Sequence, residues 1–437
     1  MVSWATSFRI RQGLRGNLWV LPFVGGVVGC ILGVLDTVVE TSISPPASLT
    51  YSASTASAVL SAVVGATAAL TGFVVTVTVL VVQMATGTFS ARYMRIWYRE
   101  PMLKVLLALL VGTLAFSFAL LRQVDDDFVP NLGVSFTGVL VIASLLLFMV
   151  FLDRYLHRLR PVAVAGLVAA YVQREFDRLR VEALTTPGVY AGTFAANGRK
   201  PADTVRSERA GVLQAIHWQG LAAWARRHDC LVVLRRHVGD FVPAQAEIFD
   251  IFDADEAAAA DGRRQLQGLF ALGAERTVEQ DPAFAIRIMV DIAEKALSPA
   301  VNDPTTAVQV LDQLEEVLRL IGSTELGGGQ WHADDSPTQG FVMPIRGWEQ
   351  YLQLGVTEIR EDGASSIQVM RRMRAMLEEL HADVLPQHRA AVEDELARLD
   401  ATVATSFAGS ADLDRAGIAD TEGIGGEVGQ TGSTAVA

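Results

Sequence analysis

Residues 134–152 read VSFTGVLVIASLLLFMVFL, an apolar run without a charged side chain. Crossing the hydrocarbon core of a bilayer takes about 20 such residues in an α-helix. Three other mainly apolar runs precede this one, at 18–39, 58–82 and 103–121. The sequence therefore predicts four transmembrane helices, which together form a transmembrane domain over residues 18–152.

The arginine residues between these runs predict the orientation. They occur before the first run, between the second and third, and after the fourth, whereas Arg122 is the only basic residue in the two remaining loops. Short loops rich in Lys and Arg stay in the cytosol. The first run is also longer than the apolar core of a signal peptide, about 7 to 15 residues, so we expect it to remain uncleaved. These features predict a multi-pass protein of the bacterial inner membrane with cytosolic N- and C-termini, in which residues 1–17 are a cytosolic N-terminal segment.

The overall composition supports the membrane class and makes some partners unsuitable. Only 19% of the 437 residues are charged, and the mean hydropathy is positive. The net charge is -12 and the sequence has no long basic run, so it lacks the clustered Lys and Arg that nucleic acid requires. Cys30 and Cys230 lie in distant regions, which predicts neither a disulfide framework nor a metal site.

Glycines at four-residue spacing mark one face of the first predicted span. Gly25, Gly29 and Gly33 would let another helix approach closely, which makes them helix-packing candidates. The neighbour is either another span of the same chain or a second subunit. Asp36 and Glu40 extend roughly the same face, where a buried carboxylate is costly unless it is paired or hydrated.

The second predicted span carries small and polar residues. Gly65 and Gly72 repeat at seven residues, as do two of the threonines. Threonine hydroxyls in a membrane helix commonly bond to carbonyls of their own helix. The alternative is a stripe that faces water in a pore. The pore-lining candidates are Thr67, Thr71, Thr78 and Gln83.

The second half of the chain predicts a cytosolic α+β domain, so the fold class is a mainly α membrane protein with a small sheet or partial barrel. A juxtamembrane helical stalk is expected at 153–184, the α+β domain at 205–321, a linker and helical extension at 322–406, and a disordered tail at 407–437. Within the domain, strands are expected at 211–216, 230–236, 241–242 and 248–252, and helices at 217–227, 255–273, 282–297 and 304–321.

The most distinctive segment of this half is ALSPAVNDPTTA at 296–307. Asp281 and Asp303 each precede a proline, the arrangement in which a carboxylate caps a helix and proline occupies its first position. Capping accounts for both aspartates without a ligand. A helix N-terminus also suits an anion, and this hypothesis makes Arg276, Arg287, Asn302 and Asp303 the ligand-binding candidates.

Together with three further motifs, this signature resembles a bacterial family of predicted integral membrane proteins of unknown function. The further motifs are Glu-Arg-Thr at 275–277, Gly-Asp-Phe-Val at 239–242 and Phe-Ser-x-Arg at 89–92, and the resemblance covers roughly residues 15–400. The family has proline where this chain has Ala91, which predicts a looser turn at that point. The resemblance implies four spans with a cytosolic domain, and it implies no activity, substrate or catalytic residue.

Three classes of function are compatible with this sequence. The first hypothesis is a homo-oligomeric channel or transporter with a cytosolic regulatory domain. The alternative is a membrane-anchored sensor or scaffold whose cytosolic domain binds a ligand or protein, and the third is an enzyme at the membrane surface. The sequence contains no Gly-x-Ser-x-Gly, phosphate-loop or His-Glu-x-x-His motif, so it predicts no catalytic or metal-ligating residue and identifies no cofactor. The expected partners are the lipid bilayer and further copies of the chain.

Overall fold

The computed structural model describes residues 3–42, 50–88, 101–158, 161–194, 196, 198–325, 330–331 and 339–425. The chain divides into two compact units, which we call the membrane unit (Gln12–Arg160) and the α/β unit (Met1–Arg11 with Pro161–Ala437). The motif at 89–92 and the end of the predicted tail at 426–437 lie outside the described residues.

Four long helices make up the described part of the membrane unit, after a first helix that begins near the N-terminus. Their bounds are α1 Trp4–Gly16, α2 Val20–Ser42, α3 Ala53–Thr88, α4 Pro101–Leu121 and α5 Asn131–Arg158. Among the described residues, three stretches are long and apolar enough to cross a membrane: Ala53–Gln83, Pro101–Leu121 and Asn131–Arg154. Helix α2 has a shorter apolar stretch among its described residues, Val20–Asp36.

Helix α4 is the most enclosed of these helices and packs against α2, α3 and α5. Two groups of apolar side chains hold it in place. One joins α4 to the second halves of α3 and α5 and contains Val74, Val81, Leu103, Leu106, Leu107, Leu110 and Phe151. The other joins α4 to the first halves of those helices and contains Ala56, Leu60, Phe116, Leu120 and Val134.

The carboxylate of Glu40, near the end of α2, caps the N-terminus of α5. It accepts hydrogen bonds from the backbone N–H of Asn131 at 3.1 Å, the side-chain amide of Asn131 at 3.2 Å and the backbone N–H of Leu132 at 3.1 Å. The first N–H groups of a helix have no partner inside the helix, and the helix dipole favours a negative charge there. The acidic residue therefore has a structural partner in another helix.

We expect Glu40→Ala to lower the free energy of unfolding by about 1–2 kcal/mol, the range measured for lost helix caps. Thermal unfolding of the full chain in nanodiscs measures the effect. Asp127→Ala is the matched control, because that aspartate is exposed and belongs to the loop before α5. Equal melting temperatures for the two variants would contradict the capping role.

Two sheets and a strand pair form the β part of the α/β unit. The strands are β1 Val189–Ala191, β2 Thr193–Phe194, β3 Asp203–Arg206, β4 Gly211–Ile216, β5 Leu231–Leu234, β6 Phe241–Val242, β7 Glu247–Phe252, β8 Phe270–Gly273, β9 Gln330–Trp331 and β10 Gly340–Met343. The larger sheet has the order β1-β10-β5-β7-β3, in which β1, β10 and β5 are parallel and β7 and β3 antiparallel. The smaller sheet, β6-β4-β8, is antiparallel, and β2 pairs with β9.

The helices of the α/β unit pack beside these strands and on one another. Their bounds are α6 Pro161–Thr185, α7 Trp218–Arg227, α8 Glu256–Gln265, α9 Pro282–Leu297, α10 Pro304–Gly322, α11 Trp348–Asp362, α12 Ile367–Asp383, α13 Arg389–Ser406 and α14 Leu413–Ala416. Helix α7 buries one face against strands of both sheets in the main core, while α6 and α9 to α13 pack mainly on one another. The prediction of an α+β domain with a small mixed sheet is thereby confirmed at the level of its elements.

Several elements differ from the predictions. The helix expected at 255–273 ends at Gln265, and after a 3-10 turn its last four residues pair with β4 as strand β8. The helix expected to run on from residue 153 is described as α5 up to Arg158 and as α6 from Pro161, with residues 159–160 outside the described part of the chain; the buried side chains of α6 pack on α9 and α10. The described part of the segment expected to be disordered, up to Gly425, is folded and includes α14.

Candidate functional site

A cavity of about 300 Å³ lies at one edge of the larger sheet. Strands β1, β10 and β5 run parallel, so their carboxyl ends meet at this edge, and Ala191, Met343 and Leu234 line the cavity there. In sheets of this kind, ligands bind in the crevice outside the carboxyl ends of the strands. The topology therefore places the cavity where α/β folds commonly hold a small molecule.

Most of the cavity wall is apolar. Helix α6 contributes two side chains and the start of α7 contributes an indole. The rest comes mainly from strands β1, β5 and β10 and from the segments that follow β5 and β10. The apolar wall consists of Phe176, Leu179, Val189, Ala191, Trp218, Leu234, Val238, Pro282, Met343, Pro344 and Ile345. Such a wall favours a ligand that has an apolar body, with a few polar groups fixing its orientation.

One polar side of the cavity is formed by the capped N-terminus of α9. Asp281 is 2% exposed, and one of its oxygens accepts a hydrogen bond from the backbone N–H of Phe284 at 3.1 Å. Its other oxygen accepts from the guanidinium of Arg276 at 2.7 and 3.0 Å. Burial raises the pKa of the Asp281 carboxyl, and the charge and hydrogen bonds of Arg276 oppose that shift. The pair is thus a satisfied structural unit in the wall.

The loop before α9 is held in place by two other elements. Gln280 has a positive φ of 55°, a conformation that non-glycine residues adopt at a cost of about 1–2 kcal/mol. Its backbone N–H donates to the Glu175 carboxylate of α6 at 2.9 Å. Its side-chain amide bonds to both backbone groups of Ile216, at 2.9 and 3.0 Å. These contacts fix the position of Asp281 relative to β4 and α6.

Three further polar residues of the lining are His237, Tyr351 and Arg346. Burial lowers the pKa of His237, and the guanidinium of Arg346 lowers it further, so the imidazole is neutral near pH 7. Burial raises the pKa of Tyr351, which keeps the phenol neutral as well. Arg346 is half-buried, and no hydrogen bond or ion pair joins its side chain to any residue in the described part of the chain. Among the charged residues of the lining, it is the half-buried one without such a partner in the described part of the chain.

The four predicted ligand-binding residues do not come together. Arg276 lies beside the cavity through its pair with Asp281, whereas Arg287 bonds to the carboxylates of Asp291, Glu294 and Glu358 at 2.8, 3.0 and 2.5 Å. Asn302 and Asp303 follow the other end of α9, a helix of 16 residues that is about 24 Å long at 1.5 Å per residue.

The 296–307 signature forms the turn between α9 and α10. Asp303 caps α10, accepting from the backbone N–H of Thr306 at 3.1 Å and from its hydroxyl at 2.6 Å. The backbone N–H of Asp303 donates to Ala296 at 2.8 Å, and Asn302 adopts a φ of 49°. The geometry of this turn accounts for the pattern of the signature.

In the membrane unit, the predicted pore-lining threonines bond to their own helix. The hydroxyls of Thr67, Thr71 and Thr78 each donate to the carbonyl four residues earlier, at 2.7 Å. Thr67 and Thr78 are buried, whereas Gln83 is exposed. A Cβ at Gly65 or Gly72 would meet no atom within 4 Å, so these glycines lie on a different, open face.

The three helix-packing candidates of α2 all face α4. A Cβ added at Gly25 would lie 2.3 Å from the carbonyl oxygen of Ala108, and one added at Gly29 would lie 2.2 Å from that of Gly112. At Gly33 the nearest atom is the Cβ of Ala119, at 2.6 Å. The contact is within one chain.

His237, Tyr351 and Arg346 have no counterpart among the residues predicted from the sequence. The Gly-Asp-Phe-Val motif at 239–242 was the one sequence feature that lies close to them. Gly239 has a φ of 97°, and a Cβ there would lie 2.3 Å from an Asp281 oxygen and 2.5 Å from an Arg276 nitrogen. The Gly-Asp-Phe-Val and Glu-Arg-Thr motifs therefore meet beside the cavity.

A family model described as "Predicted membrane protein (DUF2254)" matches residues 15–379. The chain belongs to this family. The match confirms the resemblance seen in the motifs, and it spans α2 to α5 as well as every residue that lines the cavity. Membership places the chain among predicted membrane proteins.

Similar proteins occur in mycobacteria. "Uncharacterized protein MT1328" of Mycobacterium tuberculosis (strain CDC 1551 / Oshkosh) is 29% identical over 353 residues, which cover 78% of this chain and 67% of the relative. "Uncharacterized protein Mb1321c" of Mycobacterium bovis (strain ATCC BAA-935 / AF2122/97) has the same identity and coverage. No solved structure matches the chain.

Proposed function

We propose that this member of the DUF2254 family is a membrane-anchored sensor whose α/β unit binds a small molecule in the cavity. The observation that carries the proposal is the cavity itself, which is about 300 Å³ in volume and lies at the carboxyl ends of three parallel strands. It combines an apolar wall with convergent polar groups, the usual composition of a small-molecule site. The membrane-anchored sensor is the alternative to the channel hypothesis that was drawn from the sequence.

The proposed anchor has four spans, with the α/β unit in the cytosol. Trp4 stacks on His217 with ring centroids 5.1 Å apart, and the Ser3 hydroxyl donates to the Gly268 carbonyl at 3.0 Å. Residues that precede the spans therefore share a compact unit with residues that follow them. A chain that begins and ends on one side of a membrane crosses it an even number of times, so α2 counts as a span beside the three longer ones. The arginine-rich loops favour the cytosol for that side.

The channel hypothesis has less support from the membrane unit. The threonine hydroxyls expected to face a pore donate to carbonyls of their own helix, and Thr67 and Thr78 are buried. The glycines expected to form a seam pack α2 on α4 of the same chain. Assembly into a homo-oligomer remains a prediction from the sequence.

A cavity-filling variant tests the sensor proposal. Ala191 lines the cavity at the end of β1, so Ala191→Phe is expected to occupy the space where a ligand would bind. The experiment dialyses the full chain in nanodiscs against a small-molecule extract of bacterial cells and identifies the retained compounds by mass spectrometry. We expect the wild-type chain to retain at least one compound that Ala191→Phe loses by tenfold or more.

The matched control is Ala260→Phe, which adds the same side chain to an exposed position of α8. It is expected to retain the compound like the wild type. Identical retention by the wild type and Ala191→Phe, with the variant's thermal unfolding unchanged, would refute a ligand site in the cavity.

A further inference from the structure

We propose that the cavity selects small monoanions that have an apolar body, and that the Arg346 guanidinium holds the charged end. This inference rests on the proposed function, because it names the class of compound that the same cavity binds. Three features of the wall lead to it: the balance of charges, the size of the apolar space and the carboxylates that limit the charge of the ligand.

The balance of charges around the cavity favours an anion. The charged side chains of the lining are Arg180, Arg346, Asp281 and Glu325. The negative charge of Asp281 is balanced by Arg276, whose guanidinium donates two hydrogen bonds to the carboxylate. Two guanidinium groups then stand against the single carboxylate of Glu325. An anion is attracted by this wall, and a cation is repelled.

Arg346 is the residue that fits the role of anchor. It is half-buried, whereas Arg180 and Glu325 are exposed. It lies close enough to His237, Asp281 and Tyr351 to act on their titration, which places its charge among the buried polar groups of the wall. A charge-assisted hydrogen bond is about twice as strong as a neutral one, and guanidinium matches a carboxylate in shape.

The size and lining of the cavity define the body of the ligand. A volume of about 300 Å³ is at the lower end of the range for small-molecule sites. At about 30 Å³ for each water in the liquid, the space equals roughly ten waters, so a ligand of about ten non-hydrogen atoms fits. The side chains of Phe176, Leu179 and Trp218 form an apolar surface against which a ring or a short chain packs.

The neighbouring carboxylates limit the ligand to one negative charge. Asp281 contributes a charge that Arg276 balances, and Glu325 at the rim opposes any second anionic group. The pKa of His237 is lowered by burial and by Arg346, so near pH 7 the imidazole adds no positive charge to bind a dianion. A phosphate ester is therefore a poorer match than a carboxylate.

The test compares three probes on the full chain in nanodiscs by isothermal titration: 3-phenylpropanoate, its primary amide and phenyl phosphate. The acid and the amide have nearly the same shape and differ in charge. We expect the wild type to bind the acid at least tenfold more tightly than the amide, and more tightly than phenyl phosphate. Arg346→Met should weaken the acid 10- to 100-fold, the usual loss for a hydrogen bond to a charged group, and change the amide less than twofold.

Arg264→Met is the matched control, because Arg264 is exposed on α8 and removing it should leave both affinities unchanged. Equal affinity of the wild type for acid and amide would overturn the inference while leaving the cavity as a ligand site. Tightest binding of phenyl phosphate, or loss of acid binding in both methionine variants, would overturn it as well. The dialysis experiment with Ala191→Phe decides the proposed function independently, since it assumes no charge on the ligand.

Discussion

Gly29→Ala is expected to lower the free energy of unfolding of the membrane unit by about 1–3 kcal/mol, the range for adding a methyl group to a well-packed interface. The added Cβ would lie 2.2 Å from the carbonyl oxygen of Gly112, closer than any real contact. A backbone oxygen cannot rotate away as a side chain can, so α2 and α4 must separate. Close backbone approach at small residues allows membrane helices to pack tightly. Separating α2 from α4 at Gly29 would therefore also weaken the contacts at Gly25 and Gly33.

Gly72→Ala is the matched control for this seam. It makes the same chemical change in α3, where an added Cβ meets no atom within 4 Å, and alanine has the higher helix propensity. Thermal unfolding of both variants in nanodiscs, followed by circular dichroism, measures the difference. If Gly29→Ala melts at the same temperature as Gly72→Ala, the packing of α2 on α4 is not as described.

Asp420→Ala is expected to release the C-terminal segment from α12 and to destabilise the α/β unit by about 1–3 kcal/mol, the cost of leaving buried donors without an acceptor. Asp420 is 2% exposed, and its carboxylate accepts from the backbone N–H groups of Gly423 at 3.0 Å and Gly425 at 2.9 Å. It also lies 4.0 Å from the guanidinium of Arg371, whose side chain is likewise 2% exposed. Removing the carboxylate leaves the two backbone N–H groups without their acceptor and takes a negative charge from beside the buried guanidinium.

Hydrogen exchange of the amides at 417–425, together with thermal unfolding, measures the release. Asp412→Ala is the control, since Asp412 is exposed at the start of α14 and its side chain makes no capping bond. We expect rapid exchange across 417–425 in Asp420→Ala and wild-type exchange in the control. Unchanged protection in Asp420→Ala would mean that the segment is held by other contacts.

The predictions from sequence succeeded where one local pattern determines the element. Helices α9 and α10 begin at the residues expected, because an aspartate followed by proline caps and starts a helix whatever surrounds it. Three apolar runs form helices long enough to span a membrane, since length and composition alone decide that property. The strands β4, β5, β6 and β7 also lie within or close to their predicted ranges.

The errors occurred where distant segments decide the structure. Residues 270–273 are apolar and suit either a helix or a strand, and their pairing with β4 makes them a strand. Strand β10 has four residues and lies between β1 and β5, which are more than 100 positions earlier in the chain. The composition after residue 408 predicts disorder, yet a single aspartate organises part of this segment around Arg371.

The candidate site was the least predictable feature, because its wall comes from segments spread between residues 176 and 351. Arg276 was a predicted ligand-binding residue, and the structure places it beside the cavity as the partner of Asp281. Arg346 follows a short strand and belongs to no motif of the sequence. Only the topology of the sheet brings it to the same edge as His237.

The central claim is that the cavity at the carboxyl ends of β1, β5 and β10 is a ligand site. The most direct measurement is a high-resolution cryo-electron microscopy map of the full chain in nanodiscs with saturating 3-phenylpropanoate. We expect density for the probe between Trp218 and Leu234, with its carboxylate in hydrogen-bond contact with Arg346. A map that resolves these side chains and shows the cavity empty under saturating probe would contradict the account.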